Sequence, residues 1–142
     1  MLIRSENLLG NMNSEGSYPD KLVVCRLAVQ HDTIRSFAEM SGDFNPIHID
    51  IDAAKRSGMS TVIAHGSIAL NLLWESIERS FGSASMPNFE LDVRFRAPIY
   101  LDESVESGGS RIENTNKYDV WILNQKGERV IDGTLRVTNL SE

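Results

Sequence analysis

The segment "SIALNLLWESIERSF" (67–81) restricts the fold more than any other. Ile68, Leu72, Leu73, Ile77 and Phe81 recur at helical spacing, and Ala69, Leu70 and Trp74 widen the apolar stripe. No charge appears before Glu75. Such a helix is expected to be mostly buried and must be wrapped on several sides. The residues after it supply the wrapping. "NFELDVRFRAPIY" (88–100) puts Phe89, Leu91, Val93 and Phe95 on one face of a strand, with Glu90, Asp92, Arg94 and Arg96 on the other. "SVESGGSRIEN" (104–114), "KYDVWILNQ" (117–125) and "RVIDGTLRVTN" (129–139) read as three further strands. Lys126-Gly127 turns the last hairpin, and Gly108-Gly109 is expected to mark a bulge or interruption. An antiparallel sheet curved around one helix satisfies this order, so the expected class is α+β.

Upstream, "KLVVCRLAV" (21–29) predicts a strand. "HDTIRSFAEMSG" (31–42) predicts a short helix capped by Asp32, with Ile34, Phe37, Ala38 and Met40 on its apolar face and Gly42 ending it. "DIDAAKRSG" (50–58) predicts another, with Asp50 near its start and Lys55 and Arg56 near its end, the order the helix dipole favours. Residues 1–20, rich in Asn, Ser, Gly and Glu, read as an irregular lead-in to one domain over 21–142.

Net charge of −6 without a basic run argues against nucleic-acid binding, because phosphate contacts need clustered Lys and Arg. No stretch approaches the ~20 apolar residues of a membrane span, and the first residues, which carry acids and no long apolar run, are not expected to be a secretion signal. The lone Cys25, set among Val23, Val24 and Leu27, reads as a small buried hydrophobe, which suits a reducing cytoplasm.

The polar run "SGDFNPIHID" (41–50) interrupts these apolar segments. Pro46 stops the first helix and pushes Asn45 to an extended conformation, so Asp43–His48 form a stiff bend. Asp43 and His48 can then face one another across it and hold one water, dividing acid and base work, with Asn45 orienting the water or its partner. On spacing alone, a plain linker with Asx-turns at Asp43 and Asn45 fits as well. "IAHGS" (63–67) stands at the entrance to the long helix. There Gly66 leaves the helix-tip N–H groups open to a carbonyl oxygen, an oxyanion-hole arrangement. The competing reading is that His65, Gly66 and Ser67 simply cap the helix. Together the two segments suit adding water to, or removing it from, a double bond conjugated to a carbonyl. A metal triad of His48, Asp50 and His65 explains neither Asn45-Pro46 nor Gly66, so no metal is expected.

"FAEMSGDFNPIHIDIDAAKRSG" followed by "VIAHGS" resembles the MaoC-like dehydratases, or (R)-specific enoyl-CoA hydratases. "VRFRAPIYLDE" and "NQKGERVIDGTLRV" look like the later strands of that family. The resemblance covers roughly residues 22–139. It implies a hot-dog fold, a homodimer or higher homo-oligomer, and no cofactor. It also implies an acyl-CoA or acyl-carrier-protein thioester as substrate. Asp43 and His48 would be the catalytic dyad, supported by Asn45. Gly66, with His65 and Ser67 beside it, would meet the thioester, and Arg94 or Arg96 would meet the phosphates. Two alternatives are a hot-dog thioesterase and a non-catalytic acyl-CoA or acyl-carrier binding module.

Overall fold

The computed structural model describes residues 1–5, 18–82 and 86–138. Its elements are β1 (Leu2–Ser5), β2 (Arg26–Ala28), α1 (His31–Ser41), α2 (Pro46–Ile49), α3 (Ile51–Arg56), α4 (Gly66–Phe81), β3 (Asn88–Phe95), β4 (Ser104–Arg111), β5 (Lys117–Asn124) and β6 (Arg129–Thr138). The six strands form one antiparallel sheet in the order β1-β3-β6-β5-β4-β2. α4 lays Ile68, Ala69, Leu72, Leu73, Ser76 and Ile77 into the core, against the inward residues of the sheet. Phe89, Leu91 and Val93 from β3, Tyr118, Val120 and Ile122 from β5, and Leu135 and Val137 from β6 supply the other side of that core. The expected α+β arrangement is therefore the observed one.

The central hairpin follows its turn chemistry. Gly127 adopts φ 77°, and Asn124 Oδ1 accepts from the N–H groups of Lys126 and Glu128 (both 3.0 Å). Gly42 ends α1 in the left-handed conformation (φ 75°), donating to the Ala38 carbonyl at 2.8 Å. Asp50 caps α3, its Oδ1 accepting from Asp52 N and Ala53 N. Cys25 is buried, as its neighbours suggested.

Several expectations are corrected. The lead-in is not wholly irregular, because Leu2–Ser5 form β1 on the edge of β3; residues 6–17 lie outside the described part. Of the strand expected over 21–29, only Arg26–Ala28 pairs regularly. Two serines of α4 take the Val23 backbone instead: Val23 N donates to Ser80 Oγ (2.8 Å), and Ser76 Oγ donates to the Val23 carbonyl. At Cys25 the N–H is taken by Ser107 Oγ at 2.9 Å. Gly108-Gly109 neither bulges nor breaks β4, whose ladder runs through both; the irregularity lies at Ile122/Leu123. The glycines make room instead, since a Cβ on Gly108 would strike the Trp121 indole and one on Gly109 would come within 2.6 Å of Leu22 Cδ1.

Gln30, not Asp32, is the N-cap of α1, and Asp32 falls within its first turn. Met40 is 72 % exposed, at the rim of the open groove between α1 and α4. α4 is covered on one face rather than all round: Leu70 is half-buried, and Trp74 lies on the flank, partly exposed, 5.3 Å from the Phe89 ring. Phe95 is half exposed because it stands at the end of the sheet, over Gly66, where the helix tip has no side chain to cover it.

Candidate active site

The loop between α1 and α3 is built by side chains that serve its own backbone. Asn45 caps α2, its Oδ1 accepting from Ile47 N at 3.3 Å, and Pro46 takes the first helical position. The Asn45 N–H donates to Asp43 Oδ1 at 3.1 Å, and Ser41 Oγ accepts from Asp43 N at 3.2 Å. These Asx and Ser bonds are the linker chemistry that spacing allowed. They also fix one oxygen of Asp43 and leave Oδ2 to face inward.

His48 is buried, with Nδ1 2.7 Å from the Ile63 carbonyl oxygen. A carbonyl only accepts, so Nδ1 carries a proton, and in the neutral form of the ring the bare lone pair is at Nε2. That atom lies 3.9 Å from Asp43 Oδ2. The gap is too long for a direct hydrogen bond and short enough for one water to touch both. Asp43 itself is 53 % exposed at its side chain, so the pair has one dry and one wet member.

His65 does not face outward as a substrate contact. It is 3 % exposed, and its Nε2 lies 2.8 Å from the Asp43 carbonyl oxygen, which makes Nε2 the protonated nitrogen. Its ring stacks on His48 with centroids 3.8 Å apart and planes 25° apart, while Phe37 closes its other side at 4.9 Å. Nδ1 of His65 is buried and has no hydrogen-bond partner among the described residues. His65 is also the N-cap residue of α4, though its side chain makes no cap bond, so the reading in which it merely caps the helix does not hold. The stack brings the Asp43–His48 pair beside the helix tip. There Gly66 and Ser67 are exposed, and the first N–H groups of the helix have no intrahelical carbonyl to bind.

The structure thus gathers Asp43, Asn45, His48, His65, Gly66 and Ser67. It does not bring Arg94 and Arg96 to them. Both arginines line a polar depression on the opposite face of the sheet, with Asp92, Asp119, Arg129 and Asp132, and Arg96 pairs with Asp132 at 3.1 Å. The alternation of β3, with Leu91 and Val93 inward, sends its arginines outward. Asp50 is also elsewhere, occupied as a cap, so His48, Asp50 and His65 form no metal triad. The carboxylate that joins the two histidines is Asp43; the three offer ligand atoms within 4.8 Å of one another.

Three features escaped sequence reasoning. The Ile63 carbonyl is a backbone group with no side-chain signal. Phe37, read only as core, also backs the imidazole stack. A depression of about 430 Å³ reaches His48 between α1 and α2, with His31, Asp32, Arg35 and Glu39 among its lining residues; charges on one side of α1 were the available sign.

Comparison with known proteins gives the site its context. A mitochondrial 3-hydroxyacyl-[acyl-carrier-protein] dehydratase of Arabidopsis thaliana is 29% identical over 92 residues, 63% of this chain and 54% of that protein. 3-Hydroxyacyl-thioester dehydratase X of Mycobacterium tuberculosis is 35% identical over 104 residues, 72% of this chain and 35% of that protein. The chain therefore spans about half or less of the length of these curated relatives. Among solved structures, the (R)-hydratase of A. caviae involved in PHA biosynthesis superposes with a TM-score of 0.69 at 17% identity, covering 89% of this chain and all of the other. That likeness is one of fold, the hot-dog arrangement of sheet and central helix. The family model described as "MaoC like domain" matches residues 17–132. The chain belongs to the MaoC-like domain family.

Proposed function

We propose that this protein is a carbon–oxygen lyase that adds water to trans-2-enoyl thioesters and removes it from 3-hydroxyacyl thioesters. The observation that carries this reading is the 3.9 Å gap between Asp43 Oδ2 and a His48 Nε2 whose lone pair is set by the Ile63 carbonyl. A water held there gives one proton to His48 Nε2 as its oxygen bonds to C3 of the enoyl group. Its second hydrogen stays on the new hydroxyl, pointed at Asp43. Electrons released toward the thioester oxygen are stabilised by the N–H groups at Gly66 and Ser67. The imidazolium then returns its proton to C2, so water has added across one face of the double bond. Asn45 keeps the carboxylate in place. No metal or cofactor enters this scheme.

The names of the relatives support the chemistry: both are dehydratases of 3-hydroxyacyl thioesters. Coenzyme A and acyl-carrier protein are both admitted as carriers. A homodimer, expected from the family resemblance, and work in the cytoplasm complete the proposal. Loss of enoyl absorbance with crotonyl-CoA and longer enoyl-CoA esters tests it, with thiol release followed in parallel. Turnover without thiol release is expected, and Asp43→Asn and His48→Gln should each lower kcat by roughly a hundred-fold or more. Thiol release as the main reaction, or unchanged kcat in both variants, would overturn it.

A further inference from the structure

We infer that His65 is a positioning residue for the proposed reaction: it does not meet the substrate, and it holds Asp43 and His48 at a separation that one water can bridge. The inference rests on the hydratase reading above and adds a side chain that the proton transfers do not use. His65 is 3 % exposed, so it can act only through its neighbours. It touches both members of the pair. Its Nε2–H donates to the Asp43 carbonyl at 2.8 Å, and its ring lies on the His48 ring with centroids 3.8 Å apart.

Each contact removes a different freedom. The His48 ring is fixed at one corner, where Nδ1 meets the Ile63 carbonyl at 2.7 Å. One corner does not set the plane, because the torsion about the bond to an imidazole is broad. A second ring stacked on its face does set it, and so aims Nε2 at Asp43. Asp43 itself lies in an exposed run, residues 41–46. Among the described residues, the hydrogen bonds of residues 42–46 stay within that loop and its flanking helices, apart from the one His65 donates. The segment that carries His65 is tied to the body of the protein: Ala64 N donates to the Ile99 carbonyl at 2.8 Å, and Ile63 bridges to Tyr100. His65 therefore anchors a surface loop to a fixed segment.

Packing alone does not account for an imidazole at this position. Its Nδ1 is buried with no hydrogen-bond partner among the described residues, which costs stability and which a phenyl ring would avoid. Phe37 packs on His65 at 4.9 Å, an aromatic neighbour that a phenyl ring would meet as well. What a phenyl ring lacks is the N–H for Asp43. The two contacts are thus separable by substitution. His65→Phe keeps a ring against His48 and loses the donor. His65→Gln keeps an amide donor near the place of Nε2 and loses the ring.

We would measure kcat and KM for crotonyl-CoA hydration in both variants, confirm cooperative melting, and solve their crystal structures. Each variant should lower kcat roughly tenfold or more and leave KM within about threefold, because the loss is one of alignment and not of substrate binding. The effects should vanish where their target is already gone. His65→Gln should change kcat by less than about twofold when added to His48→Gln, and His65→Phe by less than about twofold when added to Asp43→Asn. The same loss in those backgrounds as in the wild type would make His65 merely structural and overturn the inference. So would kcat within about twofold of wild type in both variants, or a raised KM at unchanged kcat, which would make His65 a substrate contact. If one variant fails to fold, the other decides; if neither folds, His65 is a packing residue and the inference falls. Should the wild type turn over no enoyl ester, the hydratase reading fails separately, and the crystal structures still decide. The Gln variant should show the His48 ring turned out of its plane and the Phe variant a displaced Asp43, so that each loses the 3.9 Å separation. An unchanged separation in both would overturn the inference.

Discussion

His48 has its reactive nitrogen chosen by a backbone carbonyl, and Asp43 has its free oxygen chosen by the Asn45 N–H. Asn45 therefore acts twice: its side chain caps α2, and its position steers the carboxylate. Asn45→Ala should lower stability by about 1 kcal/mol in urea unfolding. It should also lower kcat roughly ten- to hundred-fold through a misplaced Asp43. Asn45→Asp, which caps equally well but adds a charge beside Asp43, should restore the stability and not the rate. A variant that recovers both would reduce Asn45 to a cap. At this scale much was readable in the sequence, because Asp43, Asn45, Pro46 and His48 sit within six residues and local sterics dictate their bend. The role of His65 was not readable. Its contacts with Asp43, 22 residues away, and with the His48 ring exist only once α4 has docked.

Periodicity made α4 and strands β3 to β6 legible, since each is set by burial on one face. The first strand failed for a reason that periodicity cannot carry. Its Val23 is bonded to Ser76 and Ser80, 53 and 57 residues along the chain, so a segment with strand composition gives up part of its ladder to a helix. Removing both hydroxyls tests whether those bonds pin the segment. Ser76→Ala with Ser80→Ala should cost about 1 to 2 kcal/mol in urea unfolding, because Ser76 is buried and leaves the Val23 carbonyl unpaired. Turnover per folded molecule should stay unchanged. The exposed Phe95 is the same lesson in reverse: alternation correctly put it on the helix side, but the helix has only Gly66 there to meet it.

On the scale of the whole molecule, the ends of the sheet are closed by segments distant in sequence, β1 on β3 and β2 on β4. Tyr118 ties the middle of the sheet to the chain before β2. Its ring is fully buried and its hydroxyl donates to the Pro19 carbonyl at 2.6 Å. Burial pushes this phenol up from 10.0 to about 12. A raised folded-state value means the fold favours the neutral phenol, so its contribution is whole below pH 10 and is lost as pH rises from 10 to about 12. The loss should be roughly 1 to 2 kcal/mol, below the full linkage value because the hydroxyl end is only partly buried and partly screened. Tyr118→Phe should flatten unfolding free energy over that window; an unchanged alkaline slope would show that other groups set it.

The water between Asp43 and His48 remains the centre of the proposed chemistry, and a crystal structure with a bound 3-hydroxyacyl thioester tests it most directly. The expected product hydroxyl lies within about 3.2 Å of both Asp43 Oδ2 and His48 Nε2, with the thioester oxygen at the Gly66 end of α4. A hydroxyl bound away from both side chains would contradict it.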